Sequence, residues 1–311
     1  MTTPHPRLSI NQATIKKTTV AEAIEITRAA GVGAIGLWRE QVHEAGLDES
    51  VRMLADSGLR YSTHCRGGWF TAEEGPDRVA ALDDNRRAID ETAALAEAGA
   101  PGSRAALVIV VGGLPAGSGS GAASAGAAGG GSDARDRWSG SRDLVGARER
   151  VRDAVAQLAP HAEQAGVQIA LEPLHPMYAS DRSVLSTLDQ ALDIAGDFDP
   201  SVVGVTVDTI HLWWDPHVLD KIARAGAEGR IASYQVCDWK TPLPADTLLA
   251  RHYPGDGVID FGPMTRAVEA AGYAGDIEVE LLNQEIWDTD PAEVVRRTIE
   301  SFDRAVAPHL G

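Results

Sequence analysis

The feature that most constrains this chain is a rhythm. Apolar, β-branched stretches recur at 8–15, 34–40, 60–66, 106–113, 168–174, 203–209, 231–239 and 276–282, and a helical stretch follows each. Eight strands, each with its own helix, form the pattern of an α/β chain that closes on itself, the (β/α)8 TIM barrel. An open doubly wound sheet would alternate in the same way, but the G-x-G-x-x-G fingerprint expected after its first strand is missing. With 311 residues, 44% of them hydrophobic, the chain suits a single barrel domain over 1–311.

Local signals agree with these divisions. Thr19 and Glu22 have capping-box spacing, and Ser186 and Asp189 repeat it ahead of an apolar stripe of Leu188, Leu192 and Ala195. Asp290, Pro291 and Glu293 read as N-cap, N1 and N3, and Asp260 caps the helix after it. Gly31, Gly58, Gly99, Gly166 and Gly272 stand where helices should stop. One segment breaks the rhythm. Residues 116–141 are rich in Gly, Ala and Ser and cannot bury enough apolar surface to offset their ordering. They read as a mobile loop inserted between the fourth strand and its helix, with Trp138 the one residue in it that suggests a lid.

Cys65 and Cys237 are too few for a disulfide framework and read as buried thiols in a reducing compartment. The segment MTTPHPRLSI has no leader-like apolar region, and no apolar run is long enough to span a bilayer, so a cytoplasmic protein is expected. The net charge of −17 repels phosphate backbones and anionic lipid, which argues against nucleic-acid and membrane partners.

Chemistry in such a barrel gathers at the C-terminal strand ends. The fifth strand ends in Glu172, the sixth in Asp208 and the eighth in Glu280, while the seventh passes through Gln235. Four successive strands can aim these groups at one point. Carboxylates that close cannot all stay ionised without compensation, and one divalent cation would supply it. An oxygen-rich set suits Mg²⁺ or Mn²⁺, with Co²⁺ or Zn²⁺ as further alternatives. His175 and His211 each follow a strand-end carboxylate by three residues, where an imidazole can orient a hydroxyl or shuttle a proton. His64 ends the third strand. Trp38, Trp69, Trp213, Trp214 and Trp239 lie at or just past strand ends and would give an apolar wall for a sugar ring or an aromatic aglycone. No nucleophile elbow or phosphate loop is present.

Through EPLHP (172–176), VDTIHLWWD (207–215), VCDW (236–239), GDGVIDF (255–261) and IEVE (277–280), the chain resembles the xylose-isomerase-like superfamily of sugar (phosphate) isomerases and epimerases. The resemblance implies one divalent metal, often Mn²⁺, held by Glu172, Asp208, Glu280 and the position of a family histidine, here Gln235, a neutral and weaker ligand. It implies that Glu172 and Glu280 form the acid–base pair and that His211 contacts the substrate. An arginine that the family's ketose epimerases carry shortly after the seventh strand has no obvious counterpart; Lys240 is nearby and joins the candidate substrate-binding residues.

The expected activity is isomerisation or epimerisation of a small keto-sugar. A proton leaves the carbon beside the carbonyl, the cation stabilises the enediolate, and His175 and His211 assist. One alternative is a lyase that eliminates the C1 group of a 3-oxo-glycoside, working with a small partner subunit. Another is a non-catalytic carbohydrate-binding barrel that has lost its metal through Gln235. Homo-oligomerisation is compatible with each.

Overall fold

The computed structural model describes residues 3–115 and 140–311. Its strands are β1 (Leu8–Asn11), β2 (Ala34–Trp38), β3 (Arg60–Gly68), β4 (Ala106–Val110), β5 (Gln168–Leu171), β6 (Val203–Asp208) and β7 (Ile231–Val236). After them come the short β8 (Asp238–Trp239) and β9 (Arg251–His252), and finally β10 (Ile277–Val279). β1 to β7 and β10 form a closed barrel, sealed where Leu8, Ser9 and Ile10 pair in parallel with Ile277, Glu278 and Val279. Closure leaves no edge and rules out the open sheet. The seventh strand, expected over 231–239, breaks at Cys237; its tail becomes β8, which pairs antiparallel with β9 outside the barrel.

Every residue of β2, β4, β6 and β7 is buried, as befits strands covered by helices outside and side chains inside. The helix starts follow their caps. Thr19 and Glu22 make the reciprocal capping box, Asp290 accepts from the Glu293 N–H, and Asp260 accepts from the Gly262 N–H. The cap expected at Ser186 is displaced by one residue. Thr187 is the extended residue whose hydroxyl accepts from the Gln190 N–H, while Gln190 Oε1 takes the Ser186 N–H at 2.7 Å. The loop expected over 116–141 lies, up to residue 139 and including Trp138, outside the described residues. Among the described residues no helix is long and apolar enough to cross a membrane.

The barrel centre holds a charge. Glu278 on β10 is fully buried and accepts hydrogen bonds from Asn11 Nδ2 (3.0 Å), Thr63 Oγ1 (2.8 Å), Gln235 Nε2 (3.1 Å) and the Ser62 hydroxyl. Burial pushes its carboxyl up, and the donors from Ser62, Asn11 and Thr63 oppose that rise. Gly36 on β2 makes room for it, since a Cβ there would stand 2.4 Å from Glu278 Oε1. Gly36→Ala is therefore expected to overpack the centre and cost about 1–3 kcal/mol. Urea unfolding would show this as a lower midpoint at unchanged slope; an unchanged midpoint would mean that the carboxylate is not confined there.

Candidate active site

The strand that ends in Asp208 does two jobs with one carboxylate. Asp208 Oδ1 accepts from the Ile210 N–H (3.0 Å) and so caps the single helical turn Thr209–Leu212. That turn places His211 above the strand end, its Nε2 3.9 Å from Asp208 Oδ2. Glu172, just past β5, joins them: ligand atoms of Glu172, Asp208 and His211 all lie within 4.8 Å of one another. All three are buried, as are Glu280 and Gln235.

The group that ties Glu280 to this set is Arg251, which the sequence reading missed. Its Nη1 donates to Asp208 Oδ2 at 3.2 Å and to Glu280 Oε2 at 2.5 Å, and its Nη2 lies 3.1 Å from His211 Nε2. Burial works against the guanidinium charge, but Glu280, Cys237 and Asp208 outweigh it and hold Arg251 firmly protonated. Arg251 is far from β7 in sequence and returns through the β8–β9 ladder, where it pairs with Trp239. Asp238 anchors that return. Its carboxylate accepts backbone N–H groups from Trp239 (2.8 Å), Gly255 (2.9 Å), Gly257 (2.8 Å) and Ile259 (3.0 Å). The segment GDGVID is thus a clamp for the arginine loop. The signal available in sequence was Asp238 with two downstream glycines, a weak one.

The electrostatics follow from burial. Glu172 is pushed well above the carboxylate range by desolvation, with Asp208 and Glu280 adding repulsion. Asp208 is pushed up to about 6 by desolvation, with Arg251 pulling it down and Glu280 pushing it up. Burial and the adjacent Arg251 keep His211 neutral. Its Nδ1 lies 3.2 Å from the His175 N–H, so two donors, this amide and Arg251, address a ring with one lone pair. The neutral ring can accept from only one of them, so its tautomer decides which donor it takes.

The donor set fits a hard divalent cation. Three buried carboxyl groups share the one guanidinium hydrogen-bonded among them, so ionising all three calls for a further positive charge. Gln235 supplies a neutral oxygen besides: Glu278 takes its amide N–H, which leaves Oε1 buried without a hydrogen-bond partner.

The remaining candidates divide. His175, Trp213 and Trp214 form an aromatic wall with Trp239. The His175 ring is 4.9 Å from Trp239 and 5.6 Å from Trp214, and Trp213 is 5.7 Å from Trp239. Trp38 is buried on the opposite side, packed with Cys65 and Val108 and donating to Asn11 Oδ1 at 2.8 Å. Cys65 and Cys237 are free buried thiols. Trp69 is 40% exposed beyond the end of β3.

Two candidates are not brought to the cluster. Lys240 is exposed, 3.9 Å from Glu285. His64 is fully buried and turned toward helix Pro76–Ala98, its Nε2 3.3 Å from Glu91, which also binds Arg39 and His43. The reason is a bulge. Ile35 and Leu37 of β2 face Tyr61 and His64 of β3, so β3 carries an extra residue. Ser62 and Thr63 both reach inward to Glu278, and His64 is flipped outward.

The description of the xylose isomerase-like TIM barrel fits residues 24–305. The chain belongs to that family. An inosose isomerase of Bacillus velezensis is 26% identical over 160 residues, 51% of this chain and 55% of its own length. That of Bacillus subtilis is 27% identical over 146 residues, 46% and 50%. The chain thus spans about half the length of these curated relatives. Protein SMc04130 of Sinorhizobium meliloti 1021 has a TM-score of 0.83 at 41% identity, covering 96% of this chain and 98% of its own. The IolI protein (TM-score 0.74, 18% identity, 98% and 99% covered) and a D-psicose 3-epimerase of Clostridium cellulolyticum H10 (0.71, 15%, 98% and 100%) share the fold.

The raised pKa of Asp208 gives this family member a pH signature. A carboxyl whose folded pKa exceeds its unfolded value binds protons more tightly when folded, so stability falls as pH rises between the two values. Metal-free protein is expected to lose stability from about pH 4 to 6 on this account. Asp208→Asn should flatten that part of the curve in EDTA-treated samples unfolded with urea; identical curves for the two proteins would contradict the assignment.

Proposed function

We propose that this protein is a divalent-metal-dependent isomerase or epimerase of keto-sugars that moves a proton on the carbon beside a carbonyl. The observation that carries the reading is the meeting of Glu172, Asp208 and His211 within 4.8 Å, with Arg251 bonded to both Asp208 and Glu280 beside them. The activities named for the inosose isomerases and the D-psicose 3-epimerase belong to this class, and the IolI structure is described with a zinc atom.

Glu172, Asp208, Glu280 and Gln235 would hold the cation, with Mn²⁺ the ion best suited to three carboxylates and an amide oxygen. When bound, it supplies Lewis acidity toward a carbonyl oxygen and the adjacent hydroxyl. The side chains do the rest. Glu172 takes a proton from carbon, and Glu280 returns one from the other face. Arg251 stabilises negative charge developing on the substrate oxygen, from a buried position already fixed by Asp208 and Glu280. His175, Trp213, Trp214 and Trp239 present aromatic faces to the sugar C–H groups.

The test is incubation of the Mn²⁺-loaded enzyme with a panel of ketoses in D₂O, followed by NMR. Deuterium is expected beside the carbonyl, and Glu280→Gln should reduce its incorporation by about 10²-fold or more. Undiminished exchange in that variant would remove Glu280 from the reaction. Release of a C1 substituent from a 3-oxo-glycoside, with no epimer formed, would replace isomerisation by elimination.

A further inference from the structure

β3 ends in Arg66-Gly67-Gly68 and is followed by Trp69, a strand end whose geometry the barrel chemistry above does not explain. Neither glycine tolerates a side chain. A Cβ on Gly67 would lie 2.4 Å from Asn85 Oδ1, and one on Gly68, at φ +132°, 1.8 Å from the Val110 carbonyl oxygen. Asn85 grips Gly68 on both sides, accepting its N–H at 2.7 Å and donating to its carbonyl at 2.8 Å. Trp69 then adopts φ +65°, alone among the described non-glycine residues in being left-handed. An aromatic residue in that region is strained and persists only where its surroundings fix it; such outliers gather at active sites, ligand clamps and switch regions.

The strand end presents two side chains. The Arg66 guanidinium stacks over the Trp69 indole at 5.1 Å. Arg66 is half-buried and, among the described residues, meets no carboxylate at ion-pair distance, in a chain with 45 acidic residues against 28 basic ones. It lies toward the C-terminal end of β3, the end of the parallel barrel at which Glu172 and Asp208 also stand, one residue after Cys65, which packs with Trp38 and Val108.

We propose that Arg66 and Trp69 form an anion subsite for a phosphate or carboxylate at the end of the sugar remote from the reacting carbonyl. The inference rests on the reading of the mouth as a sugar site. A planar guanidinium held by stacking offers a pre-oriented fork for two oxygens of such a group.

Calorimetry in EDTA with D-glucitol, D-glucitol 6-phosphate and D-gluconate tests it, because none of the three carries a reactive carbonyl. At least one anion is expected to bind about tenfold or more tightly than glucitol, and the phosphate and carboxylate arms show which group is preferred. Arg66→Gln should abolish the advantage, and Arg66→Lys should retain part of it, which separates loss of the fork from loss of fold. Anions that bind no better than glucitol, or an advantage that survives in Arg66→Gln, would overturn the subsite. Failure of the isomerase reading appears separately, as absent deuterium exchange, and leaves this comparison intact.

Discussion

Three carboxylates meet in a space from which water is largely excluded, and their mutual repulsion shapes everything around them. Burial already disfavours the charged forms, and each neighbour adds to the cost. Arg251 supplies a charge that cannot be titrated away, shared between Asp208 and Glu280 through one nitrogen. One guanidinium does not balance three acids, and the elevated Asp208 and Glu172 are the residue of that imbalance. On the proposed reading the shortfall is the affinity for a divalent cation, with the neutral Gln235 oxygen tuning rather than driving it.

β10 shows how the fold separates structural from chemical charge. Glu278 and Glu280 lie two residues apart and face the same interior. Glu278, deep in the barrel, is satisfied by neutral donors from Asn11, Ser62, Thr63 and Gln235. Glu280, at the mouth, meets a cation. The first fixes the second's surroundings, because its demand for N–H donors turns the Gln235 amide so that the carbonyl oxygen is left over. Asp238 plays a comparable part outside the barrel: four backbone donors converge on it and hold the loop that delivers Arg251.

Most of this architecture was legible in the chain. The eight barrel strands stand in the expected stretches, most of them marked by Val, Ile, Leu and Ala because strands buried on both faces are largely apolar, whereas β3 (RYSTHCRGG) carries polar side chains that serve the barrel centre. Glu172, Asp208 and Glu280 stood out for the converse reason, as acids at the ends of such runs. Arg251 did not, since its position depends on a loop whose return is set by Asp238 and the short β8–β9 ladder, and no periodicity records it. His64 was misplaced because simple alternation cannot register the extra residue in β3, and one residue reverses which side chains face inward.

The mouth that results is two-sided. Strands β5 to β10 contribute carboxylates, Arg251 and the His175–Trp239 wall, whereas β2 to β4 contribute Trp38, Cys65 and Val108. Arg66 and Trp69 lie beyond that apolar patch, at the strand end gripped by Asn85. A ligand with a carbonyl at one end and an anionic group at the other would therefore find complementary charge at both ends and an apolar floor between them. On the two proposals together, Arg66 would hold one end of the substrate and the cluster around Arg251 would act on the other, so that selection of orientation and activation of the reacting carbon arise from one distribution of charge.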